Sequence, residues 1–504
     1  MFEMSLRRKL LELGLAALVA AAIVPIWLPD WLPLQDLPQH LAAIRVLGDY
    51  GDPALNLSNY FRITPFQTQY LGYYSAVWLL SWIVEIQVAN RLFLTACLAT
   101  TPYALRYLLA ELDRPQFLAL FAVPLLYNPF VLLGFINFAA AIPLMLLGLG
   151  QCARLRDEYT RQTAISLGVV GIVCFFMHVV PFAFLAIGAA TLGLRDSAPQ
   201  TFWRWLPMLP AGLISILWTF FSPAGSSATK AVGEDAQFRP WREAFSQLPD
   251  WTTNITHEAF DDHLLILVGL VAIFVVIAGA GLQRDTPSDT WWPPVQRVTM
   301  MAPLAMVAYF ALPLSYDWIW PISPRFAIIG MLLAVPALPE PTRWPKVLAA
   351  AALVAVSCVQ FYQVADSFQS FSRDEVGQLQ AAIDEIPKGQ RVAGLMFRTG
   401  SRHVRFSPFI HSVAYYQAQK GGAVMFTFAD FPQSPFRFRE SNRPPRVPPR
   451  WEWKPGDVNP REDLDWYNYV LVRGGPGRIQ RQNDTFKRVF KSPQWSVFRR
   501  AERP

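Results

Sequence analysis

The segment QDLPQH (35–40) sets a carboxylate, Asp36, and an imidazole, His40, four residues apart. On a helix that spacing puts both side chains on one face, where a carboxylate could act as general base toward a hydroxyl group. GFIN (134–137) offers Asn137, and FFMHVVPF (175–182) sets His178 in an apolar run. An imidazole in such a run is expensive unless it faces a partner or a cavity. Gly134 and Asn137 suit a tight turn between helices equally well. Arg239, Trp241 and Arg242, in RPWREAF, could clamp a phosphate and stack on a sugar ring, because a guanidinium fork binds two oxygens. In SYDWIWPISPRF (315–326), Asp317 lies among aromatic residues and Arg325 opens an apolar run. There Arg325 meets either a bound lipid phosphate or ordinary headgroups. HEAFDDH (257–263) has the donor types of a divalent-cation site in His257, Asp261, Asp262 and His263. Its two histidines are six residues apart, which fits no standard zinc spacing, and a solvated loop is the plainer reading.

The elements that must hold these groups are set by composition. Of 504 residues, 53% are hydrophobic and 16% charged, with a mean hydropathy of +0.25. A soluble chain averages about 25% charged residues, so a soluble enzyme or a disordered regulator is excluded. After Arg7, Arg8 and Lys9 comes the apolar run 10–28, which reads as an uncleaved first helix with a cytoplasmic N-terminus. Further apolar blocks fall at 71–88, 92–110, 117–133, 138–151, 163–178, 181–194, 205–222, 263–282, 298–314, 325–339 and 347–364. Each is roughly long enough to cross a bilayer, where about 20 residues are needed. Parity demands an odd number of crossings between residue 70 and Arg114, so one of two short helices in 71–110 is re-entrant or surface-lying. The expectation is a polytopic helical membrane domain over 1–364 with about 11 spans. Loops 154–161, 195–204, 283–297 and 339–346 each carry at least two Lys or Arg and face the cytoplasm. Loops 29–70 and 223–262 and the segment 365–504 then lie outside.

Residues 365–504 hold 23 Lys and Arg against 14 Asp and Glu. A basic domain beside a membrane meets anionic headgroups or phosphorylated ligands; no motif supports nucleic acid. Short strands are predicted at 391–397, 423–428, 467–474 and 495–500, and helices at 375–386 and 407–420, with the proline-rich stretch 441–460 irregular. This makes a small exported α/β or α+β domain. The four cysteines lie in or beside apolar blocks and form neither a disulfide framework nor a CxxC metal motif. Asp36, with Pro38 in the first turn and Gln39 following, also reads as the N-cap of a helix whose Leu37, Leu41, Ile44 and Leu47 share a face, one that would lie along the membrane surface.

An acidic residue opening the first outer loop, followed by juxtamembrane helices, resembles the C-type (GT-C) superfamily of integral-membrane glycosyltransferases, which use polyprenyl-phosphate sugars. A long outer loop midway and a C-terminal exported domain extend the likeness over nearly the whole chain. The matching residue is Asp36, flanked by Gln35 and Leu37 where the family carries an Asp-Glu or Asp-Asp pair. The resemblance implies sugar transfer from a polyprenyl-phosphate donor to a glycan, lipid or protein acceptor at the outer face of a bacterial inner membrane. Asp36 would be the catalytic base, with Arg325, Arg242 or Arg239 at the phosphate, and His40 and His178 orienting donor or acceptor. The resemblance fixes no cofactor, and a divalent cation could take part. A non-catalytic scaffold or transport subunit, or a glycan ligase or polymerase using lipid diphosphates, are the alternatives.

Overall fold

The computed structural model describes residues 2–229, 236–280, 292–317, 319–444, 452–475, 479 and 485–501. Parts of the loops 223–262 and 283–297 and of the proline-rich stretch 441–460 lie outside the described residues, as do the side chains of Arg7, Arg8 and Lys9. The chain is a multi-pass helical membrane protein with a small C-terminal sheet domain. Among the described residues five helices are long and apolar enough to cross a membrane: Ile86–Glu111, Ile136–Asp157, Ala198–Phe221, Ala259–Gly279 and Arg343–Val376. Shorter apolar helices, among them Leu71–Leu80, Arg161–Met177 and Val179–Leu192, pack with them.

The ambiguous stretch 71–110 divides unequally. Leu71–Leu80 is a ten-residue helix, about 15 Å long and too short to span. Ile86–Glu111 is a full crossing, begun by Glu85, whose carboxylate accepts from the amides of Gln87 and Val88. The apolar block 117–133 is not an α-helix. It runs as a 3₁₀ helix over Gln116–Leu125 and a short helix over Pro129–Leu132, with Pro124 breaking the α pattern. Irregular backbone survives at membrane depth only where protein surrounds it. Nearly all of 117–133 is buried, and Gln360 of the last span donates to the Pro124 carbonyl at 3.0 Å.

That last helix, Arg343–Ser370, continues through a π-helical stretch to Val376 and stops at Gly377, which has φ +59. Hydropathy falls from residue 365, but the helix does not end there. Its projecting turns carry Phe368, Phe371 and Val376 into the C-terminal domain, where Trp495 Nε1 donates to the Val376 carbonyl at 2.7 Å. The domain is a five-stranded sheet ordered Ala423–Val424, Arg391–Met396, Tyr469–Arg473, Trp495–Arg500, Phe486–Lys491. The first two pairings are parallel and the last two antiparallel. Phe486–Lys491 was not among the expected strands; it is an edge strand with five of its six residues exposed or half-buried, so no apolar alternation marks it.

The C-terminal domain is stitched to the first loop. Phe61–Ile63 pairs antiparallel with Phe436–Phe438. The helix Leu37–Gly48 packs against Ala414–Lys420, and Arg45 Nε donates to the Ala418 carbonyl at 2.7 Å. This corrects the expectation of a helix lying on the membrane surface. Leu37 through Ile44 are all buried, Gln39 and His40 included, because the polar side that would face water is covered by a domain some 370 residues further on.

Candidate functional site

Three backbone devices build the site. Residues 35 and 36 are pinned by the loop before Ile136–Asp157: Gln35 N donates to the Leu132 carbonyl and Asp36 N to that of Leu133, each at 3.0 Å. Gly134 makes this approach possible. It has φ +84, and a Cβ there would stand 2.9 Å from Asp36 N and 3.1 Å from Asp36 Cβ. Only glycine suits both the left-handed turn and the contact. The second device is His178, a single extended residue (φ −165) between helices Arg161–Met177 and Val179–Leu192. It ends one helix and caps the next, its Nδ1 accepting from Val180 N at 3.1 Å. The third is the entry of Arg325–Ala334, which holds Arg325 at the first helical position.

These devices converge on a cavity of about 180 Å³ beneath the C-terminal domain. Of the residues singled out in the sequence, Asp36, His40, Asn137, His178 and Arg325 line it. Asp36 is expected to cap its helix, but its side chain makes no capping hydrogen bond. Instead Oδ1 stands 3.4 Å from His411 Nε2, with both side chains 15% exposed. His40 Nδ1 is 3.1 Å from the Tyr74 hydroxyl. Burial lowers its imidazole to about 4 against the opposing charge of Asp36, so His40 is neutral at physiological pH.

Arg325 and His178 form an unusual pair. Val180 N points at His178 Nδ1, and Arg325 Nη1 lies 3.2 Å from its Nε2. A neutral imidazole offers one acceptor nitrogen to these two donors, so one of them is left without an acceptor. Arg325 is buried, with its guanidinium 5.0 Å from the Phe135 ring centroid and Nε without a partner. Asn137 Oδ1, His411 Nδ1 and Glu452 Oε2 are likewise buried and unpartnered among the described residues, and all four belong to residues lining this cavity. Buried polar atoms are rarely left so, and bound water or a polar ligand would satisfy them.

Other expected residues go elsewhere. Arg239 is spent on Gln247 (3.0 Å), Ser323 (3.2 Å) and the face of Tyr309 (5.0 Å). Trp241 is exposed, with Arg242 stacked over it at 5.3 Å. Asp317 occupies an exposed left-handed turn (φ +46). None of these four lines the cavity; the segment that carries Arg239, Trp241 and Arg242 packs instead on Tyr309 and Ala327, outside it. HEAFDDH is not a metal cluster, and no group of three His, Cys, Asp or Glu able to hold a metal occurs among the described residues. Asp261 accepts from the amides of Ile255 and Thr256, while Asp262 pairs with Arg405 at 2.8 Å. His257 borders a separate opening and His263 is exposed. With both carboxylates engaged, the donor set does not fit a cation.

Tyr70, Tyr74, His411, Glu452 and Trp453 also line the cavity and were not expected there. His411 carried the signal that marked His178, an imidazole in an apolar run, but it lies 375 residues from Asp36 in a stretch read as helix. The aromatic residues carried none, since tyrosine and tryptophan are common at any membrane interface.

No protein-family model matches the chain, and no curated protein does either. Among solved structures it is similar to ArnT from Cupriavidus metallidurans, whose crystal structure is bound to undecaprenyl phosphate. The likeness has a TM-score of 0.58 at 12% identity and covers 97% of this chain and 98% of ArnT. The chain therefore has, from end to end, a membrane fold of the ArnT type, C-terminal sheet domain included.

Proposed function

We propose that the protein is a membrane glycosyltransferase that moves a sugar from a polyprenyl-phosphate donor to an acceptor hydroxyl in the cavity beneath its C-terminal domain, at the outer face of the membrane. One observation carries this reading: the same cavity holds a carboxylate, Asp36, and a buried guanidinium, Arg325, that faces His178 and has no carboxylate partner among the described residues. Transfer forms a bond between the acceptor oxygen and the anomeric carbon while the bond from that carbon to the phosphate oxygen breaks. The acceptor proton passes to the Asp36 carboxylate. The electron pair leaves with the phosphate, where the Arg325 and His178 donors stabilise the growing charge. His411 holds Asp36 in place, and Asn137, whose Oδ1 lacks a partner, is left to bind a sugar hydroxyl. The similarity to a protein solved with undecaprenyl phosphate supports the donor class. Among the described residues Arg325 is the one arginine in the lining, which suits a monophosphate better than the diphosphate of a ligase or polymerase.

The test is Asp36→Asn in the purified full-length protein, given a polyprenyl-phosphate sugar and assayed for release of polyprenyl phosphate. Transfer should fall roughly 10²–10⁴-fold, with donor binding and melting temperature unchanged. Full activity would return Asp36 to a structural role and assign the proton acceptor elsewhere, whereas a wild-type protein without transfer would favour the non-catalytic scaffold.

A further inference from the structure

A second concentration of charge lies on the opposite face of the membrane domain. Helix Ile136–Asp157 starts at the cavity and, at 22 residues, ends about 30 Å away at Arg156. Four arginines from four segments converge there: Arg156, Arg195 after helix Val179–Leu192, Arg204 within Ala198–Trp205, and Arg297 within Pro294–Thr299. Arg204 donates through Nη2 to the Arg156 carbonyl at 3.1 Å. Arg297 donates through Nη1 to the carbonyls of Thr191 (2.6 Å) and Leu194 (3.3 Å), the latter next to Arg195.

Arginines bonded to the last carbonyls of helices are common and need no ligand. That accounts for Arg204 and Arg297 but not for the other two. Arg156 is buried and its Nε has no partner; the Nε of Arg195 is buried without one as well. Among the described residues two carboxylates, Asp157 and Asp196, lie within electrostatic reach of this cluster. Asp157 pairs with Arg156 at 2.9 Å but is itself 64% exposed. The patch is therefore short of negative charge where part of it is shielded from water, and that shielding strengthens attraction for an anion.

An apolar groove of about 890 Å³ adjoins the arginines, between helices Val179–Leu192 and Leu209–Phe221. Ala189, Ala190, Trp205, Leu209, Leu213 and Ile216 line it. Trp205 joins the two features: it follows Arg204, and its Nε1 donates to the Ala190 carbonyl at 3.1 Å. Charge at the membrane edge with an apolar trough running inward matches one class of molecule, a phosphate head on hydrocarbon tails.

We propose that Arg156, Arg195, Arg204, Arg297 and the adjoining groove form a binding site for an anionic phospholipid of the leaflet opposite the C-terminal domain. The headgroup phosphate meets Arg195 and the partnerless Nε side of Arg156, and one acyl chain lies in the groove. The site is separate from the transfer cavity, and its existence does not depend on the reaction proposed there.

Full-length protein, delipidated in detergent, would be given phosphatidylglycerol, phosphatidylcholine or inorganic phosphate, with bound lipid counted by native mass spectrometry and melting temperature followed in parallel. Phosphatidylglycerol should be retained and raise the melting temperature, while phosphatidylcholine should not. Arg195→Gln should weaken phosphatidylglycerol binding roughly 10-fold or more, the scale of a lost charged hydrogen bond, with an unchanged melting temperature in phosphatidylcholine. Leu213→Trp, which fills the groove and leaves the arginines alone, should weaken it too. Equal retention of both lipids, or variants that bind like the wild type, would overturn the site. Protection by inorganic phosphate alone, insensitive to Leu213→Trp, would overturn the lipid in favour of a free anion.

Discussion

Two acid-and-histidine segments, QDLPQH and HEAFDDH, sit beside apolar blocks and look alike as sequence, yet they have opposite fates. In HEAFDDH the polar groups neutralise one another. Asp261 caps the turn before its own helix, and Asp262 and Asp250 both grip Arg405 of the C-terminal domain at 2.8 Å. Arg405 also donates from its backbone to the Ile255 carbonyl at 2.9 Å, so the segment clamps the domain to the membrane helices. Around QDLPQH, by contrast, Asp36 lacks its helix cap and faces a cavity with unpartnered atoms of Asn137, Arg325 and His411. Acid and imidazole content does not separate a clamp from a reactive site. What separates them is whether the folded surroundings leave the groups unsatisfied.

This contrast can be broken by exchanging the two acids' roles. Asp36→Asn should abolish most transfer with stability intact, as set out above, whereas Asp262→Asn should leave the rate per folded molecule unchanged. A loss of turnover in Asp262→Asn at full folding would erase the distinction. The next largest effect is on the anion side. Arg325→Gln should weaken binding of a polyprenyl-phosphate analogue roughly 10- to 100-fold, since a charged hydrogen bond contributes about 1.5–3 kcal/mol. Unchanged affinity by titration would reduce Arg325 to a structural cation.

Gly134→Ala sharpens the comparison from the backbone side. The added Cβ meets Asp36 itself, so transfer should drop by about tenfold or more through misplacement of the base. The fold should survive, and unaltered kinetics would show that the position of Asp36 is not set by this contact. On the clamp side, Asp262 and Arg405 are 52% and 29% exposed, so a double-mutant cycle on their pair should give a coupling of only about 0.2–1 kcal/mol in thermal unfolding.

The smallest expected effect is a pH dependence of stability from His40. Burial holds its folded value near 4, below the ordinary 6.5, so between those values the unfolded chain binds more protons. Stability should therefore be complete above about pH 6.5 and fall as the pH drops toward 4. His40→Gln should flatten that slope in melting curves taken across the window; an identical slope in the variant would assign it to other groups.

Much of the architecture follows from the chain's composition and periodicity. Apolar blocks of spanning length, a basic polar C-terminal segment and alternating strand patterns suffice for a helical membrane domain joined to a small sheet domain, because hydrocarbon solvent and core burial act on residue type alone. Asp36, His40, Asn137, His178 and Arg325 were legible for a related reason: polar groups in or beside apolar runs are costly, and cost marks them locally. The meeting of Asp36 with His411, the contact of His178 with Arg325, and the covering of Leu37–Gly48 by a distant helix were not legible. Neither was the diversion of Arg239 onto Ser323 and of Asp262 onto Arg405. Each depends on residues brought together across 80 to 375 positions, and no local pattern encodes which partner fills a polar side chain's vacant hydrogen bond. Tertiary structure alone decides whether that partner is another part of the protein or is missing, and so whether the group holds the fold together or is left free for chemistry.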